Sequence, residues 1–201
     1  MHKKAVKRIV RYLKTRRREG IYLRPTDKSF GYWVNADFCG LWNRKNAQDD
    51  PSTAKSRTGY VVTYAGCPIV WASKLQTDIA LSTTETEYIA LSQALREVIP
   101  LMHLLREFKN NNFHLGSVQP TVHCRVFEDD AGALELANVP KMRPRTKYIN
   151  VKFKYHHFRE YVTKGDITVF AVSSEEQVAD MLTKPLSNYI FQQLRMKLLG
   201  W

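Results

Sequence analysis

The stretch KSRTGYVVTYAGCPIVWASKLQTDIALSTTETEYIALS, residues 55–92, decides the fold. Residues 59–64 are mostly β-branched and aromatic, Gly66, Cys67 and Pro68 make a turn, and residues 69–73 return to strand character, so the first half is a hairpin. Ser82 followed by Glu85 is a capping-box pair. It opens a helix predicted to run to about Phe108, with a kink at Pro100. Leu91, Ala94, Leu95, Val98, Met102 and Leu105 recur at helical spacing and form its core-facing stripe.

Upstream of the hairpin, residues 30–37 read as another strand, and the charged, turn-rich residues 43–56 read as a loop. Downstream, residues 110–119 form a polar linker and residues 121–128 a strand, after which Asp130 caps a short helix carrying Leu134 and Leu136. Residues 141–154 are basic and proline-interrupted, residues 155–163 amphipathic, and residues 167–172 a short strand. Ser174 with Gln177 is expected to cap a helix holding Val178, Met181 and Leu182, stopped by Pro185; residues 190–199 form a terminal amphipathic segment. The order predicts an α/β fold, one mixed sheet with helices on its faces. The early hairpin excludes a doubly wound parallel sheet.

With 201 residues, 44% hydrophobic, the chain is long enough for one core with appendages. No apolar run approaches the roughly 20 residues of a membrane span, and the N-terminus is too basic for a secretory signal. A cytosolic or nuclear, non-secreted protein without a membrane partner is expected. Cys39, Cys67 and Cys124 are too widely spaced for a zinc site or a disulfide framework and read as free thiols. A formal charge of +12 favours a polyanionic partner, since neutralising phosphates releases counterions; a basic protein without such a partner stays open. Residues 1–18 carry nine lysines or arginines and no acid, with Val6, Ile9, Val10 and Leu13 at helical spacing. Such a helix suits a nucleic-acid backbone, an anionic membrane, or packing on the domain.

Four acids stand at element ends. Asp37 closes the first strand, Glu87 shares the stripe of Leu91, Ala94 and Val98, Asp129 ends the fourth strand before a helix, and Asp180 lies on the next short helix. A carboxylate facing a core is costly unless paired or bound to a cation, which singles out Glu87 while Glu85 serves as a cap. If the four converge, repulsion raises their pKa values until magnesium or manganese restores balance, and two ions would support phosphodiester hydrolysis. Taken singly, Asp129 with Asp130 is equally a helix cap and Asp180 an exposed helical acid. His156 and His157 offer a proton shuttle or are surface and core filling.

At these residues the chain resembles the ribonuclease H region of copia-type pol polyproteins. The resemblance is carried by VNADFCGLW (34–42), the hairpin and helix stretch (55–92), VFEDDAGALELAN (126–138) with RPRTKYI (143–149), YHHFRE (155–160) and EEQVADMLTKPL (175–186). It implies a ribonuclease H-like five-stranded sheet in order 3-2-1-4-5 over residues 26–187, with residues 188–201 as a C-terminal tail. AVKRIVRYLK (5–14) is similar to the helix joining reverse transcriptase to ribonuclease H in such polyproteins, which makes residues 1–25 a severed connection and the reverse transcriptase region a partner.

The implied activity is hydrolysis of the RNA strand of RNA/DNA hybrids by two Mg2+ or Mn2+ ions, with Glu87, Asp129 and Asp180 as catalytic metal ligands. Lys141, Arg143, Arg145 and Lys147 would track the phosphate backbone. One position departs: the family's Asp-Ala-Asp is Asn35-Ala36-Asp37 here, and an amide cannot supply the charge of a shared ligand. Asp37, on the same strand face about 6 to 7 Å away, is its candidate substitute. Phe153 and Lys154 are a further departure, resembling a small insertion before the histidines. The expectation is weak or absent cleavage with binding retained; a catalytically inactive binding remnant is the competing class. A third is a basic duplex-DNA binder whose acids are structural.

Overall fold

A computed structural model describes residues 2–26, 29–45, 48–113, 122–139 and 156–201. In chain order the elements are helix α1 (His2–Thr15), strand β1 (Phe30–Asp37), strands β2 (Arg57–Tyr64) and β3 (Cys67–Leu75), helix α2 (Thr83–Asn110) and strand β4 (Cys124–Glu128). Helices α3 (Ala131–Asn138) and α4 (Arg159–Thr163), strand β5 (Ile167–Ala171) and helices α5 (Asp180–Thr183) and α6 (Asn188–Leu199) complete them. The sheet order is β3-β2-β1-β4-β5, as expected, with β1, β2 and β3 antiparallel and β4 parallel to both β1 and β5.

Alternation along the central strands divides the core between two faces. Tyr32 and Val34 of β1, Cys124 and Val126 of β4 and Ile167 of β5 pack in one buried cluster with Leu91, Ala94, Leu95, Val98 and Met102 of α2. On the opposite face Val61, Val178 and Leu194 form a second cluster with Trp33, Leu182 and Leu198, so α5 and α6 cover that side. The Ser82 hydroxyl accepts from the Glu85 N–H at 3.1 Å, which starts α2 as expected of the cap, while the Glu85 carboxylate reaches one residue further back than in a capping box, accepting from the Leu81 N–H at 2.8 Å. The helix then runs on through Pro100, which is exposed, so packing of its stripe holds it together beyond the expected end near Phe108.

Two details shape the cleft above the sheet. The parallel pairing of β1 with β4 ends at Trp33↔Phe127, so the central strands part before Asn35 and Asp129. The Gln177 side-chain amide fills the split, donating to the Val34 carbonyl at 2.9 Å and the Phe127 carbonyl at 3.3 Å. This corrects the expected helix from Ser174: the chain turns there instead, and the helical run is only Asp180–Thr183. The second detail is Gly59, which pairs with Asn35 in the β1–β2 ladder. A Cβ there would stand 2.6 Å from Thr183 Cγ2, 2.9 Å from Leu182 Cβ and 3.1 Å from the Ala179 carbonyl, so glycine lets α5 rest on the sheet beside Asn35.

The apolar stripe of α1 does not join either core: Val6, Ile9, Val10 and Leu13 are each more than half exposed. Against the domain, Tyr12 meets Phe191 of α6 edge-on, and Arg8 and Ile9 line an open cleft with Pro185 and Leu186. The three cysteines are free thiols. No helix among the described residues is long and apolar enough to cross a membrane.

Because Gly59 sets the depth at which α5 sits, Gly59→Ala is expected to lower stability by about 1–3 kcal/mol, the usual cost of overpacking a tight contact. Urea denaturation checks this, as a lower midpoint with an unchanged slope.

Candidate metal centre

The cleft between the parting strands gathers three carboxylates. Glu87 projects from the first turns of α2 toward β1, is 8% exposed, and accepts from the Ala36 N–H. Glu128 is the last residue of β4 and 1% exposed; its Oε1 accepts from the Asp130 N–H at 3.1 Å. Asp129 follows it, and its Oδ2 accepts from the Ser174 hydroxyl at 2.8 Å. One oxygen of each of the three lies within 4.8 Å of the others. Glu87 Oε2, Glu128 Oε2 and Asp129 Oδ1 are buried without a hydrogen-bond partner.

Such an arrangement is costly in isolation. Burial raises the Glu87 carboxyl far above its ordinary range, and the negative charges of Glu128 and Asp129 raise it further, against the single Ala36 N–H. Burial likewise raises Glu128, opposed by the Asp130 N–H and reinforced by Asp129. Among the described residues no ion pair reaches any of the three. Three neighbouring carboxylates, each with one orphaned oxygen, are the donor set that a hard divalent cation fits, because it replaces missing donors and offsets the repulsion together.

Asp180 lies on the other side of β1 and is arranged differently. The Asn35 amide donates to its Oδ1 and to the Thr183 hydroxyl, the latter at 3.0 Å, while Lys184 Nζ lies 2.9 Å from the same carboxylate oxygen. Burial raises the Asp180 carboxyl, and Lys184 then pulls it down. Thus Asn35 occupies the position facing Asp180, and Gly59 opposite it makes the approach possible. Asp37 does not join the group: its half-buried carboxylate folds over Gly40 in the turn that follows β1.

His156 and His157 both lean on α2. His156 Nδ1 is 2.8 Å from the Tyr88 hydroxyl, and His157 Nδ1 is 3.4 Å from the Ser92 hydroxyl. His156 also stands against the Tyr88 ring, 5.4 Å between centroids. Lys141, Arg143, Arg145 and Lys147 fall outside the described residues. Sequence reasoning passed over Glu128, although strand alternation places Cys124, Val126 and Glu128 on one face, with α2 above them. It also passed over Lys184, four residues beyond Asp180, the spacing of a helical ion pair.

No protein-family model matches the chain. It is 35% identical over 191 residues to the retrovirus-related Pol polyprotein from transposon TNT 1-94 of Nicotiana tabacum, an alignment covering 95% of this chain and 13% of that protein. The corresponding polyprotein from transposon RE2 of Arabidopsis thaliana is 33% identical over 198 residues, covering 98% of this chain and 12% of that protein. The chain therefore spans about an eighth of the length of these relatives. Among solved structures, the N-terminal RNase H domain of a Mycobacterium tuberculosis protein superposes with a TM-score of 0.50 at 13% identity, covering 83% of this chain and 99% of that one. At that identity the likeness shows the ribonuclease H fold.

The raised carboxyls fix the sign of a pH effect. Folded Glu87 and Glu128 hold protons that the unfolded chain releases above its ordinary value of 4.5, so their contribution to stability is full below that value and is lost as pH rises through the raised folded pKa. In chelator, the melting temperature is expected to fall between about pH 5 and pH 8, and magnesium at the upper end to restore part of it. Glu87→Gln is expected to flatten the pH dependence. Thermal melts of both proteins across that range are the check.

Proposed function

We propose that the chain is the ribonuclease H domain of a retrovirus-related Pol polyprotein of the kind encoded by plant transposons, retaining affinity for RNA/DNA hybrids but impaired in hydrolysis at Asn35. The observation that carries this is the contact between Asn35 and Asp180. A carboxylate at position 35 would face Asp180 of α5 and require a cation between them. The amide instead closes the gap with a hydrogen bond, and Lys184 supplies the balancing positive charge.

Divalent ions bound in such a cleft would orient the scissile phosphate and lower the pKa of the attacking water. Glu87 and Asp129 are the residues that would hold an ion from the α2 side, and Asp180 from the α5 side. The chain's own contribution is to fix these carboxylates on rigid elements. Ser174 orients Asp129, the Ala36 N–H orients Glu87, and Gln177 holds β1 and β4 apart at the cleft floor. A two-ion reaction needs a charged ligand shared between the two sides, and position 35 lacks it.

Hybrid binding is a matter of backbone charge. The +12 excess and the basic run with Lys141, Arg143, Arg145 and Lys147 supply phosphate contacts, each adding about one unit to the slope of log affinity against log salt. The exposed apolar stripe of α1 supports its reading as the end of a connection from a preceding reverse transcriptase region. A domain that binds without turnover is the second reading, and it is favoured by the same closed Asn35–Asp180–Lys184 contact.

The purified chain is expected to bind an RNA/DNA hybrid with strong salt dependence and to cleave it feebly in magnesium. Asn35→Asp is expected to raise cleavage by about 10²–10³-fold, the scale of one restored electrostatic group at a reacting centre. Hybrid cleavage followed on a labelled RNA strand decides this, and robust cleavage by the unaltered chain contradicts it. No gain from Asn35→Asp assigns the chain to the binding-only class.

A further inference from the structure

The impaired ligand set leaves one carboxylate without a role. Glu128 closes β4 on the face that packs beneath α2, in line with Cys124 and Val126. It is 1% exposed, and the carboxylate is held by the Asp130 N–H on one oxygen only. Its other oxygen, Oε2, is buried, has no hydrogen-bond partner, and belongs to a residue with a ligand atom within 4.8 Å of those of Glu87 and Asp129. A structural carboxylate would be expected to have both oxygens satisfied or to reach solvent. Here three neighbouring residues each leave one oxygen orphaned.

The two sides of the cleft differ in charge balance. On the α5 side, Asp180 is met by the Asn35 amide and Lys184, so that side needs no further cation. On the α2 side, three carboxylates face one another with no cationic side chain among the described residues paired to them. We propose that Glu128 is a metal ligand and that the cleft holds one divalent cation, magnesium or manganese, between Glu87, Glu128 and Asp129, on the α2 side of β1. The third carboxylate absent at Asn35 is thus supplied from the neighbouring strand. A single ion on one side holds a phosphate without acting on both the attacking and leaving oxygens, which agrees with binding that outlasts turnover.

This inference rests on reading the cleft as a ribonuclease H-type metal site, but it is tested without nucleic acid, so its failure and the failure of hybrid binding are separate results. Calorimetric titration of the full chain with manganese is expected to give one site. Glu128→Gln is expected to weaken manganese binding by about 10–100-fold or more, at least the scale seen when a ligand's support is removed. Its melting temperature in chelator should be no lower than that of the unaltered chain, because a buried carboxyl has been neutralised. Asn35→Asp is expected to add a second, independent manganese site. Two sites in the unaltered chain, no site at all, or undiminished affinity in a folded Glu128→Gln protein would each overturn the proposal. The stoichiometry of the unaltered chain bears on it whether or not the variant folds.

Discussion

The constraint on which the rest depends is the placing of buried Glu87 and Glu128 and half-buried Asp129 within reach of one another, with no positive side chain among the described residues to pair with them. Like charges brought together in a poorly solvated cleft resist folding, so the surrounding structure must hold them there. The α2 stripe does so from one side, by anchoring the helix on Tyr32, Val34 and Val126 and thereby fixing Glu87 over β1. The early end of the β1–β4 pairing does so from below, because it opens the space into which Glu128 and Asp129 turn. Gln177 keeps that opening from exposing unpaired carbonyls.

Position 35 divides the cleft into unequal halves. An aspartate there would place a fourth buried carboxylate against Asp180; the amide makes the same contact as a donor. The α5 side is then electrically closed by Lys184, while the α2 side stays short of positive charge. The difference follows from one nitrogen in place of one oxygen, and it shifts the demand for a cation across β1. Gly59 matters here for a steric reason: with a Cβ at that position, α5 could not come close enough for Asp180 and Asn35 to meet.

Much of this was legible in the sequence where local pattern and tertiary role coincide. Glu87 stood out because helical periodicity placed it on the stripe of Leu91, Ala94 and Val98, and it is buried there. The bounds of β1 and the sheet order followed from alternation and from the resemblance of the motifs. Where the two diverge, local reasoning misled. Ser174 and Gln177 have capping-box spacing, yet Gln177 answers to carbonyls of Val34 and Phe127, far away in sequence, and the helix does not form. Glu128 was overshadowed by Asp129, because attention to strand ends favours the residue in the turn over the last one on the core face. Asp37 shares its strand face with Asn35, but the turn at Gly40 draws its carboxylate aside, a tertiary detail that period-two alternation does not encode.

The most direct test of the account is where a divalent ion sits. Crystals of the chain soaked in manganese, with anomalous scattering measured at the manganese edge, are predicted to show one strong peak in contact with carboxylate oxygens of Glu87, Glu128 and Asp129, and none between Asn35 and Asp180. A peak bridging Asn35 and Asp180, or an acidic cleft that stays empty at saturating manganese, would contradict it.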